Sequence, residues 1–230
     1  TQEEERRQHS REATVAVLDR KNSWQVVLID TYRPPQPNIK SQCDEGLENL
    51  KNKVDTFYFN ADQKPALVNF DGDKIILCTK KENKTLDEYI HQYKYAGSYL
   101  DRREAIDFAS KKQDDPKAIE LLTTALKDKY DGLRNFTINR LDLKKDKIKE
   151  AAEPVLLDLA KNDSKRLVKA NAISKLGEFN NPAYAAIFKM AINDSSYTVA
   201  GNALEALAEI DSVAALNEAK RLAKENTKGN

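Results

Sequence analysis

The sequence predicts an α+β, multi-domain chain: a small β-sheet module followed by a solenoid of helical hairpins. Three observations predict it. The first 83 residues carry short β-branched runs bounded by Gly, Pro, Asn and Asp. From Lys84 onward the apolar spacing is helical and is repeatedly preceded by capping residues. The pattern of residues 162–180 returns at 193–211, an internal repeat about two helices long. The expected division is a polar tail over 1–11, a β domain over 12–83 and a helical-repeat domain over 84–230.

In the β part, the strand candidates are Ala13–Leu18, Trp24–Tyr32, Val54–Phe59, Ala66–Phe70 and Lys74–Cys78. Asp71-Gly72-Asp73 separates the last two and predicts a tight hairpin turn. Arg33-Pro34-Pro35-Gln36-Pro37 must be an extended loop, because proline donates no ladder hydrogen bond. Ser41–Asn52 fits either a short helix or an edge strand with a turn at Gly46.

In the helical part, Thr85-Leu86-Asp87-Glu88 is a capping-box pattern, in which hydroxyl and carboxylate each satisfy an orphan amide. Asp115-Pro116 and Asn181-Pro182 place a cap before a proline suited to the first helical position. Asp163-Ser164, Asp194-Ser195 and Asp211-Ser212 each offer a cap before an apolar-periodic segment. About nine or ten helices with short joints are expected.

The repeat is seen most plainly by placing Asn162-Asp163-Ser164 over Asn193-Asp194-Ser195, an offset of 31 residues. Val168 then falls on Val199, Asn171 on Asn202, Ala172 on Ala203, Leu176 on Leu207 and Glu178 on Glu209. Eight of nineteen positions are identical. Fainter copies run through Leu133, Ile138 and Leu141, and through Leu100, Ala105 and Phe108. Such units are too thin to bury their own apolar faces, so neighbours must stack as in HEAT- or ARM-like arrays. The small Ala170, Ala172 and Ala203 let facing helices approach, Leu176 and Leu207 fill the seam, and Gly177 can end or bend a helix. A concave surface lined by the second helices is what remains for function.

Composition narrows the function classes. The chain is 40% hydrophobic and 33% charged, the balance of long amphipathic helices with one solvated face. Its 38 basic residues nearly cancel its 37 acidic ones, and splitting at Asn83 uncovers no strong bias. Neither nucleic acid nor an anionic membrane surface is an expected partner. No run of 18 apolar residues occurs, so no membrane span is expected. Thr1–Arg11 is polar and no signal peptide, and without an initiator Met the chain reads as a piece of something longer. Cytoplasmic and exported locations are both compatible. Cys43 and Cys78 form either one bridge or, as free cysteines commonly are, two buried thiols.

Catalytic patterns are missing. His9 and His91 are the only histidines, far apart, and the lone Glu88-x-x-His91 is weak evidence for a metal. The seven scattered glycines form no phosphate loop, and there is no nucleophile elbow. Neither cysteine has a nearby histidine in sequence. Asp71-Gly72-Asp73 lacks the remaining ligands of a calcium loop. Acidic runs such as Asp114-Asp115 read as solvated helix faces. Sequons occur at Asn83, Asn135 and Asn193, and matter only in a glycosylating pathway. No catalytic, cofactor-binding or metal-ligating residue is assigned.

Three stretches resemble a known family. They are Lys64–Asp71 with Ile75-Ile76-Leu77, Lys84–Tyr93, and Tyr99–Ala105 with its Asp101-Arg102-Arg103-Glu104-Ala105. Together they look like the region after the catalytic domain of aminopeptidase N-like zinc metallopeptidases, over roughly residues 54–226. The resemblance implies that the β part is a β-sandwich and that the parent is a zinc exopeptidase whose chemistry lies upstream of Thr1. This chain would then be its non-catalytic C-terminal portion, shaping and capping the peptide-access chamber. Its partners would be its own upstream catalytic domain and the parent's peptide substrates, with zinc held upstream and no cofactor here. The alternative is a free-standing HEAT-like protein–protein interaction scaffold.

Overall fold

The computed structural model describes the backbone of residues 11–20, 23–31, 54–61, 64–70 and 78–224, with side chains over 64–70 and 82–224. It divides into two compact units, Thr1–Leu100 and Asp101–Asn230.

The first unit holds one four-stranded sheet. Its strands are β1 (Arg11–Arg20), β2 (Ser23–Thr31), β3 (Val54–Ala61) and β4 (Cys78–Glu82), in spatial order β3-β2-β1-β4. β1 and β2 form an antiparallel hairpin with Val15 opposite Leu28 and Val17 opposite Val26. β3 pairs antiparallel to β2, and β4 runs parallel to β1.

No second sheet stands over this one among the described residues, so the expected β-sandwich is not formed. Two segments assigned to it behave otherwise. Ala66–Phe70 is irregular, with a bend at Ala66; Pro65 just before it removes a ladder donor. Lys74–Leu77 and the Asp71-Gly72-Asp73 turn lie outside the described residues, and so do Cys43, His9 and Ser41–Asn52. The strand that does form, Cys-Thr-Lys-Lys-Glu, joins the edge of the same sheet. Its lysines suit an edge and could not supply the apolar inner face of a sandwich.

From Leu86 onward every described regular element is helical. Helix α1 (Leu86–Tyr95) opens with the capping box: Glu88 N–H donates to Thr85 Oγ1 at 3.3 Å, and Thr85 N–H to Glu88 Oε2 at 2.6 Å. Ahead of it Lys84 is buried, with its ammonium 3.0 Å from Glu82 and donating to Gln92 at 2.8 Å. Helix α2 (Tyr99–Ser110) follows.

The second unit continues with α3 (Pro116–Ala125), α4 (Asp131–Ile138), α5 (Asp146–Asn162) and α6 (Arg166–Gly177). A 3-10 turn (Pro182–Tyr184) leads into α7 (Ala185–Ala191), then α8 (Tyr197–Ile210) and α9 (Ser212–Leu222). The packing alternates. Helix α3 packs on α5, while α4, α6 and α8 stack on one another in a second row. Each hairpin closes through α3–α4, α5–α6 and α7–α8 contacts. This is the stacked-neighbour core that the repeat predicts.

The core sits between the two rows. Val168, Ile173, Leu176, Val199, Ala203 and Leu207 are all at most 1% exposed, as are Leu133 and Ile138 in α4. Ala170 and Ala172 are fully buried and leave room for the facing helices. Gly177 stands at the end of α6, as the sequence reading allowed, and also serves the packing. It is the last residue of α6, and a Cβ there would lie 3.0 Å from Ala206 Cβ and 3.2 Å from Ala206 Cα. The absent side chain lets α6 and α8 touch.

Candidate functional site

The row of second helices is built on a repeated joint. Asp128, Asp163 and Asp194 occupy equivalent turns ahead of α4, α6 and α8. Each carboxylate accepts the N–H two residues on, from Tyr130, Lys165 and Ser196 at 2.8–2.9 Å. Such turns fix the chain's entry into a helix. Asp163 and Asp194 thus stand two residues ahead of the N-caps Lys165 and Ser196, and do not cap the helices themselves as the sequence reading expected.

Each turn acid also meets a cation from the preceding second helix. Arg102 Nη1 lies 2.6 and 2.7 Å from the two oxygens of Asp128. Arg134 grips Asp163 with its fork, Nε to Oδ2 at 2.8 Å and Nη2 to Oδ1 at 2.9 Å. Lys169 reaches Asp194 at 3.4 Å. The third rung is longer and wetter, and the first leaves Arg102 Nε buried without a hydrogen bond. At Asp194 the Ser196 N–H, foremost, with Lys169 and Arg166, holds the carboxyl below the ordinary aspartate range against the opposing effect of burial.

Between α2 and α4 the joint is reinforced. Phe136 lies between two guanidinium groups, Arg140 at 3.4 Å and Arg103 at 4.7 Å from the ring centre. Arg140 also pairs with Asp107 at 3.0 Å. Burial pushes the Asp107 carboxyl up, but bonds and charges from Lys111 and Arg140 outweigh it and hold it low. Buried Gln113 staples the loops: its amide donates to the carbonyls of Ser110 and Arg140, and its oxygen accepts the Asp142 N–H. Further on, Tyr184 donates to Glu153 within an edge-to-face Phe179–Tyr184–Phe188 cluster. Burial, then that bond, pushes the phenol up to about 12.

A cleft of about 670 Å³ opens where Gln113 holds the loop that carries Asp142. It lies across the C-terminal ends of α6 and α8 and the loop after α4. Its floor includes Leu141, Leu143 and Ala206, and its rim carries Asp142, Glu178, Glu205 and Glu209 with Lys144 and Lys175. Asn180, in the left-handed conformation at φ 50°, turns the chain beside it. The close contact at Gly177 is what brings the α6 and α8 walls together.

The remaining residues singled out by sequence fall elsewhere. His91 stacks on Tyr95 at 4.4 Å, and Glu88 is engaged in the capping box, so the Glu-x-x-His pair builds nothing together. Among the described residues no group of three or more His, Cys, Asp or Glu is placed to hold a metal ion, and no helix is long and apolar enough to cross a membrane. Asp115 caps α3 through the Lys117 N–H, Asn181 the 3-10 turn, and Asp211 α9. The rung cations Arg102, Arg134 and Lys169 were missed. A basic residue six places after a turn acid, Arg134 after Asp128 and Lys169 after Asp163, was the available signal.

Comparison with known proteins gives two findings. HEAT repeats match residues 153–229. Among solved structures the chain is similar to human deoxyhypusine hydroxylase in complex with glycerol, at 20% identity and a TM-score of 0.46. That alignment covers 63% of this chain and 47% of the other, so the chain spans about half its length. No curated protein matches.

The aminopeptidase resemblance does not hold. HEAT repeats, not a metallopeptidase region, match residues 153–229, and among the described residues no β-sandwich precedes them. Zinc and peptidase expectations go with it. The strings that suggested it have local causes. In Asp101-Arg102-Arg103-Glu104-Ala105, Arg102 is a rung, Arg103 stacks on Phe136 and Ala105 is fully buried. The helices that HEAT repeats match are those from within α5 to the end of α9, residues 153–229.

Proposed function

We propose that this chain is a non-catalytic protein–protein interaction scaffold whose second-helix cleft receives a polypeptide segment. The observation that carries the reading is the cleft across α6, α8 and the loop after α4, open to solvent. Concave surfaces between stacked repeats are a common place for such arrays to hold partners. Its mixture of apolar floor and charged rim suits side chains of an extended segment.

The test is selection of a displayed random-peptide library on the full chain. Peptides selected on the native chain should lose binding to Ser174→Trp, which fills the cleft, and keep it on Lys147→Trp, an exposed position of α5. Selected peptides that ignore Ser174→Trp, or no enrichment at all, would remove the reading.

A further inference from the structure

We propose that the segment received by the cleft is lysine- or arginine-rich and extended. This rests on the scaffold reading and names the partner's chemistry. The floor is apolar, with Leu141 and Ala206 almost fully buried. The rim is acidic, and its charges are unequally spent. Lys175 is held by both oxygens of Glu178, at 3.0 and 3.1 Å, so that pair is internally satisfied. Lys144 stands exposed at the rim as one cation, and Asp142 accepts its N–H at 3.2 Å.

Glu205 and Glu209 are different. Both are exposed, both line the cleft, and neither has a hydrogen bond or ion pair among the described residues. They stand four residues apart on one face of α8, where like charges disfavour the helix. The fold thus bears an uncompensated carboxylate pair on the wall of its cleft. One turn before Glu205, Gly201 has open space above it, so a peptide backbone can approach α8 there.

Apolar floor and acidic rim together match one kind of side chain. Lysine and arginine carry a long apolar stem ending in a cation. The stem lies along the floor, and the head reaches Glu205 and Glu209. An acidic segment would set like charges against the same wall, and a neutral one would leave both carboxylates unanswered.

The test is fluorescence anisotropy on the full chain at low salt, with a short labelled peptide of alternating lysine and alanine. Its counterparts carry glutamate or glutamine in place of lysine. The lysine peptide should bind, weaken as salt rises, and show a Kd raised about five-fold on Glu205→Gln/Glu209→Gln, given the modest strength of exposed pairs. Glu150→Gln, on α5, should leave it unchanged, and circular dichroism checks that each variant folds. Equal binding of the glutamine peptide, or a Kd indifferent to Glu205→Gln/Glu209→Gln, overturns the inference. So does binding of spermine without binding of the lysine peptide. Library peptides blocked by Ser174→Trp yet indifferent to the double variant overturn this inference and leave the scaffold reading standing. The absence of any cleft-dependent peptide removes both.

Discussion

Replacing Asp163 by alanine tests the joint between repeats most directly. The side chains of Arg134 and Asp163 are 12% and 4% exposed, so the pair is nearly out of water. Asp163→Ala removes two charge-assisted bonds to the guanidinium and the turn bond to Lys165 N–H. What remains of Arg134 is a bond to the Asp128 carbonyl at 2.9 Å and a long one to Lys129. Stranding one member of a buried pair costs about 3–5 kcal/mol. The loss of the turn bond adds about 1 kcal/mol. Removing both partners, as Arg134→Met/Asp163→Ala, should cost clearly less than Asp163→Ala alone, because no buried charge is left. Urea denaturation followed by helix ellipticity reads both, and the double-mutant cycle gives the coupling. A loss below about 1 kcal/mol for Asp163→Ala would refute the reasoning. It would mean that the rung behaves as a wet surface pair.

Two further outcomes follow from the packing and the charges. Gly177→Ala gains up to about 1 kcal/mol of helix propensity, but its Cβ meets Ala206 at 3.0 Å; overpacking of about 1–3 kcal/mol should win. The thermal midpoint should fall, and Ala206→Gly in the same chain should recover part of it. Asp194 has a depressed pKa in the fold, so its contribution is present above its ordinary value of 3.8 and is lost as pH falls below it. The midpoint of Asp194→Asn should therefore converge on that of the native chain below that pH; parallel curves would contradict the assignment.

Much of the helical half was legible in the sequence because its signals are local or periodic. The capping box at Thr85 and Glu88 involves neighbours only, and the 31-residue offset fixed which apolar residues share a seam. Val168 with Val199 and Leu176 with Leu207 are buried where that offset puts them. Non-local pairings were harder. Arg102 and Asp128 are 26 residues apart, and each alone reads as a solvated surface charge. Gly177 reads in sequence as a residue that ends or bends a helix, and its second role appears only when Ala206 is seen against it. The β part misled for a related reason. Runs of β-branched residues announce strands but not how many layers they form, and a lysine-rich strand such as Cys78–Glu82 chose the edge of the one sheet. The cleft was legible only as a surface expected somewhere on the second helices. Its walls come from α6, α8 and the loop after α4, which no single stretch of sequence brings together.

The rungs also bear on how such a chain can change length over generations. Every rung takes its cation from one hairpin and its acid from the turn of the next. A duplicated or deleted stretch of one full hairpin, wherever its breakpoints fall, keeps each acid in phase with a cation behind it. New junctions are then satisfied from the start, and selection is left to act on the cleft walls. The spacing between turn acids has already drifted, 35 residues from Asp128 to Asp163 and 31 from Asp163 to Asp194. The first helix of the hairpin varies most in length, seventeen residues in α5 and seven in α7. Copy number and hairpin length can vary in this design while the joint chemistry is inherited intact.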